Sequence, residues 1–444
     1  MSASTTSASG LDRYFRLSDR GSDVRTEVIA GATTFLAMAY ILFVNPGILS
    51  ETGMDAGAVF VATALAAAFG TLVMGLWANL PVAQAPGMGL NAFFAFSVVI
   101  GFGIPWQTAL AATFVSGTIF LVLALTGVRE AIINAIPMQL KLAVGAGIGL
   151  FIAFIGLKAA GIVVADEATT VALGDVTAPT TLLAIAGIVI TVVLLIRGVR
   201  GAVFLGIVAT TVLGLVAGLI DLPSAVVSTP PSLAPTLGAA FGSIGELVTP
   251  QLALVVLTML FVDFFDTAGT LIAVLNQANL LRPDGTLEQG NRALVSDAAA
   301  TMVGAALGTS TTTSYIESSA GVGAGGRTGL TSVTTSVLFL LALLFSPLLG
   351  IVTAQVTAAA LIVVGLMMAR GLGQIDWTEM EYAFPAFLIV VTMPLTYSIA
   401  NGIALGLVLF PLLMVVKGRT RELSPILWVL SAVFLLFFVS SGAA

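Results

Sequence analysis

Ser310-Thr-Thr-Thr-Ser-Tyr-Ile-Glu317 runs straight into Ser-Ser-Ala-Gly-Val-Gly-Ala-Gly-Gly326, a polar stretch followed by a small-residue one, inside a chain otherwise suited to lipid. Pro81-Val-Ala-Gln-Ala-Pro86, followed by Gly-Met-Gly-Leu-Asn91, has the same make. Each begins as an extended segment rich in Pro or β-branched residues and continues as a short half-helix. Backbone that leaves its helix at membrane depth is tolerated only where it is buried in protein or lines a cavity. A matched pair of short, Gly/Pro-interrupted apolar segments points to the substrate site of a secondary transporter. The half-helix N-termini would turn N–H groups and positive dipole ends toward that site.

The rest of the chain sets the solvent. Of 444 residues, 58% are hydrophobic and 9% charged, and mean hydropathy is +1.11. Apolar runs of about 20 residues recur, the length that crosses a bilayer's hydrocarbon. Fourteen spans are expected, at 27–48, 59–78, 87–102, 106–126, 138–157, 181–195, 203–220, 252–273, 293–307, 318–325, 330–348, 354–368, 384–398 and 402–416. A run at 426–439 is either a short further span or a helix lying in the interface. With the N-terminus inside, fifteen of the sixteen Lys/Arg, Arg129 among them, fall on the cytoplasmic side; Lys158 is the exception. Dropping or adding one early span would throw most of them outside. The basic N-terminal segment, with Arg13, Arg16, Arg20 and Arg25, lacks the apolar core and cleavage site of a signal peptide and is expected to stay cytoplasmic. The outside loops then hold Asp166, Glu167, Asp175 and the Pro-rich segment 221–235.

The interrupted segments are the third and tenth spans. Their offset of seven, an odd number, gives the two halves of the chain opposite topology. There is no Cys and no His. Disulfides, thiolate or imidazole metal sites and His relays are therefore excluded, and any protonation switch falls to carboxylates. Three acids stand in or beside apolar sequence: Asp263 and Asp266 within residues 252–273, and Glu317. A charge at the bilayer centre costs roughly 2.5–3.5 kcal/mol on the gentlest scale, so such residues mark a site that handles something polar, protons or ions. Asp263 and Asp266 are three apart and share one helix face. Two such neighbours in low dielectric cannot both ionise cheaply. The structural alternative is that one of them accepts hydrogen bonds from Thr267 or Thr270. Glu317 stands where extended chain turns into half-helix. As an acceptor it suits a ligand's N–H edge, as an acid it suits a helix cap, and both roles can hold together. Asn91 offers a donor and an acceptor, with cross-helix packing as its alternative. Gly89 permits close backbone approach. Gly321-Val-Gly-Ala-Gly-Gly326 fits a dinucleotide fingerprint literally but lacks the βαβ setting, so helix packing is the better reading. Arg327 reads as a cytoplasmic-face anchor.

At three motifs the chain resembles a known family. Phe261-Val-Asp-Phe-Phe-Asp-Thr-Ala-Gly-Thr270, Gly87-Met-Gly-Leu-Asn-Ala92 and Glu317-Ser-Ser-Ala-Gly-Val-Gly-Ala-Gly-Gly-Arg-Thr-Gly329 are similar to those of the adenine/guanine/hypoxanthine permeases. These form the AzgA-like branch of the nucleobase–cation symporter-2, or nucleobase–ascorbate transporter, group. The likeness runs from Leu11-Asp-Arg-Tyr-Phe15 to the last spans. It implies an all-α polytopic membrane protein of fourteen segments in seven-plus-seven inverted repeats, with short strands leading the half-helices of spans three and ten. It implies a cytoplasmic segment 1–26, a core domain at 27–137 and 248–350, a gate domain at 138–247 and 351–418, and a hydrophobic segment 419–444 outside the fourteen-helix core. The implied activity is import of purine nucleobases across the cell membrane by proton symport with elevator-like alternating access. No enzymatic activity, no nucleic-acid partner and no cofactor beyond the coupling ion are expected; sodium stays open as that ion, and homodimerisation is expected. By resemblance Asp263, Glu317, Asn91 and Gly89 contact substrate, while Asp266, with Asp263 and Glu317, serves proton coupling. Phe93, Phe94, Phe264 and Phe265 are candidates to stack on a base, of which at most one is expected to do so.

Rival readings meet specific obstacles. An anion carrier of the same fold would want a basic or neutral site where three acids stand. A uracil or xanthine carrier differs less. An intramembrane aspartyl protease needs aspartates facing each other, usually from separate helices, and a Gly-x-Gly-Asp segment, which is absent. A channel needs a continuous polar stripe, whereas polarity here gathers at two broken helices.

Overall fold

The computed structural model describes residues 10–126, 137–223, 225–282 and 289–441; Arg129 lies outside them, as does the side chain of Phe265. The first expected span is two helices, α1 (Val24–Met38) and α2 (Ile41–Ser50), with Ala39 and Tyr40 at their joint. Asp23 caps α1 by accepting from Thr26 N at 3.0 Å. Pro46 inside α2 deprives the Leu42 carbonyl of its helical donor. Tighter bonds appear at the joint, Leu42 N to Ala39 O at 3.2 Å and Phe43 N to Tyr40 O at 3.1 Å.

α3 (Ala56–Val73) is capped by Asp55 and runs on through the π-type turns of Met74–Ala78. It stops at Asn79, whose left-handed φ of 52° an Asn side chain tolerates. Then come β1 (Gln84–Pro86), α4 (Met88–Ala92) with its π-type continuation Phe93–Gly101, α5 (Trp106–Thr126) and α6 (Met138–Ala159). β2 (Val163–Asp166) and β3 (Thr170–Leu173) form a hairpin in the loop that carries the acids Asp166 and Glu167. Asp166 builds its turn by accepting from Thr169 N at 2.8 Å and Ala168 N at 2.9 Å. The Thr169 N–H holds that carboxyl below its ordinary range.

The chain continues through α7 (Pro179–Ile196), α8 (Ala202–Val216), α9 (Pro250–Gln277), α10 (Gly290–Leu307), β4 (Thr312–Ser314) and α11 (Ser318–Gly323). It ends in α12 (Gly329–Ala342), α13 (Ala354–Ala369), α14 (Met380–Leu395), α15 (Ile399–Val416) and α16 (Pro425–Ser441). A helix thus stands at each of the fourteen expected spans. Among the described residues, nine helical stretches are long and apolar enough to cross a membrane.

Helices α6, α7, α8, α13, α14 and α15 pack on one another, and α1, α3, α5, α9, α10, α11 and α12 form a second group. In lipid, close approach through small residues replaces the hydrophobic drive. α6 and α13 meet at Gly149 and Gly365, where a Cβ on Gly149 would sit 2.6 Å from Gly365 O. The expected run at 426–439 is a helix docked along α15 and α9. It buries Leu427, Leu430 and Phe434, and Ser431 Oγ donates to Leu407 O at 2.6 Å. Glu27 of α1 is buried and accepts Arg327 N at 2.9 Å, Thr328 N at 3.2 Å and Thr331 N at 3.2 Å. A carboxylate from one helix therefore satisfies the open N–H groups that begin another, α12.

Candidate functional site

The two interrupted segments meet. β1 and β4 pair antiparallel, with Gln84 opposite Ser314, Ala85 opposite Thr313 and Pro86 opposite Thr312. Gly87 N to Thr311 O and Tyr315 N to Ala83 O, both 2.9 Å, extend the ladder at its ends. Neither strand could satisfy its backbone alone in a membrane interior; each supplies the other's partners. Pro86 brings no N–H and sits at the strand end, the position such a residue tolerates. The Tyr315 hydroxyl donates to Pro86 O at 2.5 Å and fastens the crossing again.

Beside this crossing α9 delivers its two aspartates at different depths. Asp263 is fully buried, with Thr301 Oγ1 of α10 at 3.4 Å from Oδ2. Its Oδ1 has no hydrogen-bond partner among the described residues. Asp266, one turn on, is half-buried and within electrostatic reach of Glu317. Glu317 is half-buried too, and the Tyr40 hydroxyl donates to its Oε1 at 2.5 Å. It occupies the cap position of α11, yet its side chain makes no capping hydrogen bond. Tyr40 and Tyr315 both lie within reach of Asp266 and Glu317. The structure therefore gathers Asp266, Glu317, Tyr40 and Tyr315 around one spot and sets Asp263 behind it.

Asn91 is fully buried; its Oδ1 accepts from Ser310 Oγ and its Nδ2 lies 3.4 Å from Pro86 O. In this arrangement it ties the third segment to the approach of β4. Gly89 is half-buried and faces α6, where a Cβ would lie 2.5 Å from Ile148 Cγ2. Phe93, Phe94 and Phe264 are buried in the core, and Phe264 packs edge-on to Phe120 at 5.4 Å. Arg327 Nη1 donates to Val322 O at 2.8 Å and Gly326 O at 2.7 Å, closing the end of α11. Gly321 packs on α1 near Ala30 rather than cradling a phosphate.

Two residues went unmarked by the motif reading. Asp297 of α10 is fully buried and accepts from Gln84 Nε2 at 2.9 Å, Thr267 Oγ1 at 2.9 Å and Ser314 Oγ at 3.0 Å. It locks β1, β4, α9 and α10 to one carboxylate. The rule that marked Asp263, a charge inside an apolar span, would have marked it as well. Tyr40 carries no signal of its own in the sequence, where it is one more aromatic in an apolar run. Among the described residues, no group of three acids stands close enough to hold a metal ion.

The sequence profile of the Permease family matches residues 25–405. The chain is 52% identical to the guanine/hypoxanthine permease PbuG of Bacillus subtilis (strain 168) over 438 residues, 97% of this chain and 99% of that protein. It is 44% identical to the adenine permease AdeP of Escherichia coli (strain K12) over 438 residues, 98% of each. Among solved structures it is similar to the transmembrane domain of a cyanobacterium bicarbonate transporter, BicA, with a TM-score of 0.64 and 16% identity over 86% of this chain and 96% of that one. At that identity the likeness speaks for the fold.

Proposed function

This chain belongs to the Permease family, so it is a transporter rather than an enzyme, and we propose that it imports purine nucleobases together with protons across the cell membrane. The relatives named for guanine, hypoxanthine and adenine support the substrate class. The observation that carries the reading is the pair Asp266 and Glu317, half-buried and within electrostatic reach of each other, with no basic side chain bonded to either among the described residues. Ionised carboxylates only accept hydrogen bonds, which matches the N–H groups on a purine's edge and repels an anion of the kind the structural neighbour carries. A proton taken up with the base neutralises one acid before the site crosses the barrier, removing several kcal/mol of desolvation cost.

In this proposal the helices of the α1 group form the core that carries the site, and those of the α6 group form the gate it moves against, by alternating access. The N-terminus lies in the cytoplasm, where the basic segment belongs. Uptake of labelled guanine, hypoxanthine or adenine into proteoliposomes under an imposed pH gradient is expected to be saturable and gradient-driven. Saturable uptake indifferent to the gradient removes the proton, and no uptake of any purine removes the function.

The α4–α6 contact gives a further prediction. Gly89→Ala places a methyl group against Ile148, a β-branched neighbour with little freedom to yield. Initial uptake is expected to fall about tenfold with protein yield unchanged, and adding Ile148→Ala is expected to restore most of it. Absence of that restoration in the same uptake assay would separate Gly89 from this contact.

A further inference from the structure

We propose that Tyr40 is a positioning residue of the substrate site, its phenol holding one oxygen of Glu317 so that the other is presented to the bound base. This rests on the purine reading above. The Tyr40 hydroxyl reaches Glu317 Oε1 at 2.5 Å across 277 residues of sequence. Among the described residues it is the one side-chain hydrogen-bond partner of that carboxylate. Glu317 is not engaged in capping its own helix. Tyr315, the other phenol nearby, is committed to Pro86 O. Without Tyr40, the long Glu317 side chain would turn among several rotamers.

The seat of Tyr40 explains its aim. The ring is 1% exposed and lies at the joint of α1 and α2. Ala39 and Tyr40 keep right-handed helical dihedrals across the joint, and from there the Tyr40 hydroxyl reaches Glu317 at the cap position of α11. Both ends of the hydrogen bond belong to the same group of packed helices, so the bond persists while that group moves as a body.

A hydrogen bond from a fixed donor to a carboxylate orients without adding a contact to the ligand. Its loss therefore weakens the base's hold on Glu317 and leaves the later steps of transport intact. Tyr40→Phe, which keeps the buried ring, is expected to raise KM for guanine uptake about tenfold. Vmax is expected to stay within about twofold and the melting temperature in detergent within about 3 °C. The deciding measurement is a double-mutant cycle read by equilibrium binding of labelled guanine to the purified full chain, with Tyr40→Phe, Glu317→Ala and both together. Tyr40→Phe is expected to weaken binding in the native background and to add nothing once Glu317 is gone. An equal loss in both backgrounds overturns the proposal, because Tyr40 would then act on the base or the fold directly. Unchanged binding in Tyr40→Phe overturns it too. Failure of the purine reading looks different: the unmodified protein binds no labelled purine.

Discussion

Glu317→Gln is expected to lower the initial rate of the proposed purine uptake by about 100-fold, while the purified protein is expected to melt within about 3 °C of the unmodified chain. The substitution keeps size and shape but replaces one acceptor oxygen with an NH2 donor. A base presenting N–H groups then meets a donor where it needs an acceptor. Sites built to hydrogen-bond a substrate discriminate steeply when one partner is wrong, because the mismatched groups stay desolvated and unpaired. The fold has little to lose. Glu317 makes no capping bond for α11, the amide oxygen can still accept from Tyr40, and removing a charge from this setting relieves desolvation. Labelled-base uptake and thermal melting in detergent check the two halves. Uptake within threefold of the unmodified chain would take Glu317 out of the site.

Asp297→Ala has the largest expected effect on the fold itself. The carboxylate accepts from Gln84, Thr267 and Ser314 at 2.9–3.0 Å, all of them buried. Truncation orphans those donors and leaves a cavity where β1, β4, α9 and α10 converge. Breaking such a network costs about 3–5 kcal/mol. The expected result is a melting temperature lower by about 3–5 °C, or no monodisperse protein at all. Asp297→Asn keeps two of its possible acceptor directions and should fall between the two. An Asp297→Ala chain that melts with the unmodified one would show that the network carries no stability.

The interrupted segments were legible because Pro and Gly act locally: Pro81, Pro86 and the glycines after Glu317 mark broken helix whatever packs around them. The helices were legible because apolar length is a property of each stretch alone. What escaped depends on neighbours distant in sequence. Three-residue spacing puts Asp263 and Asp266 on one face, but only the opposing residues decide their surroundings, Thr301 for the first and Glu317 for the second. The direction of Asn91 is set by Ser310, 219 residues on. Tyr40 reads as one more aromatic in an apolar run until Glu317 is seen opposite it. The β2–β3 hairpin rests on an Asx turn at Asp166 in a loop whose sequence gave no alternation to count.

The pairing of β1 with β4 constrains how anything is handed across the membrane. The two half-helices are stitched at their tips by shared backbone bonds, by Tyr315 on Pro86 and by the bonds Gln84 and Ser314 both make to Asp297. Parting them would expose bare peptide groups with nothing to replace the lost partners. The cargo therefore cannot be passed from one half-helix to the other by letting them swing apart like a pair of doors. In the transport proposed above the cargo would ride within an undivided block, with its slip plane along the seam where α4 rests on α6.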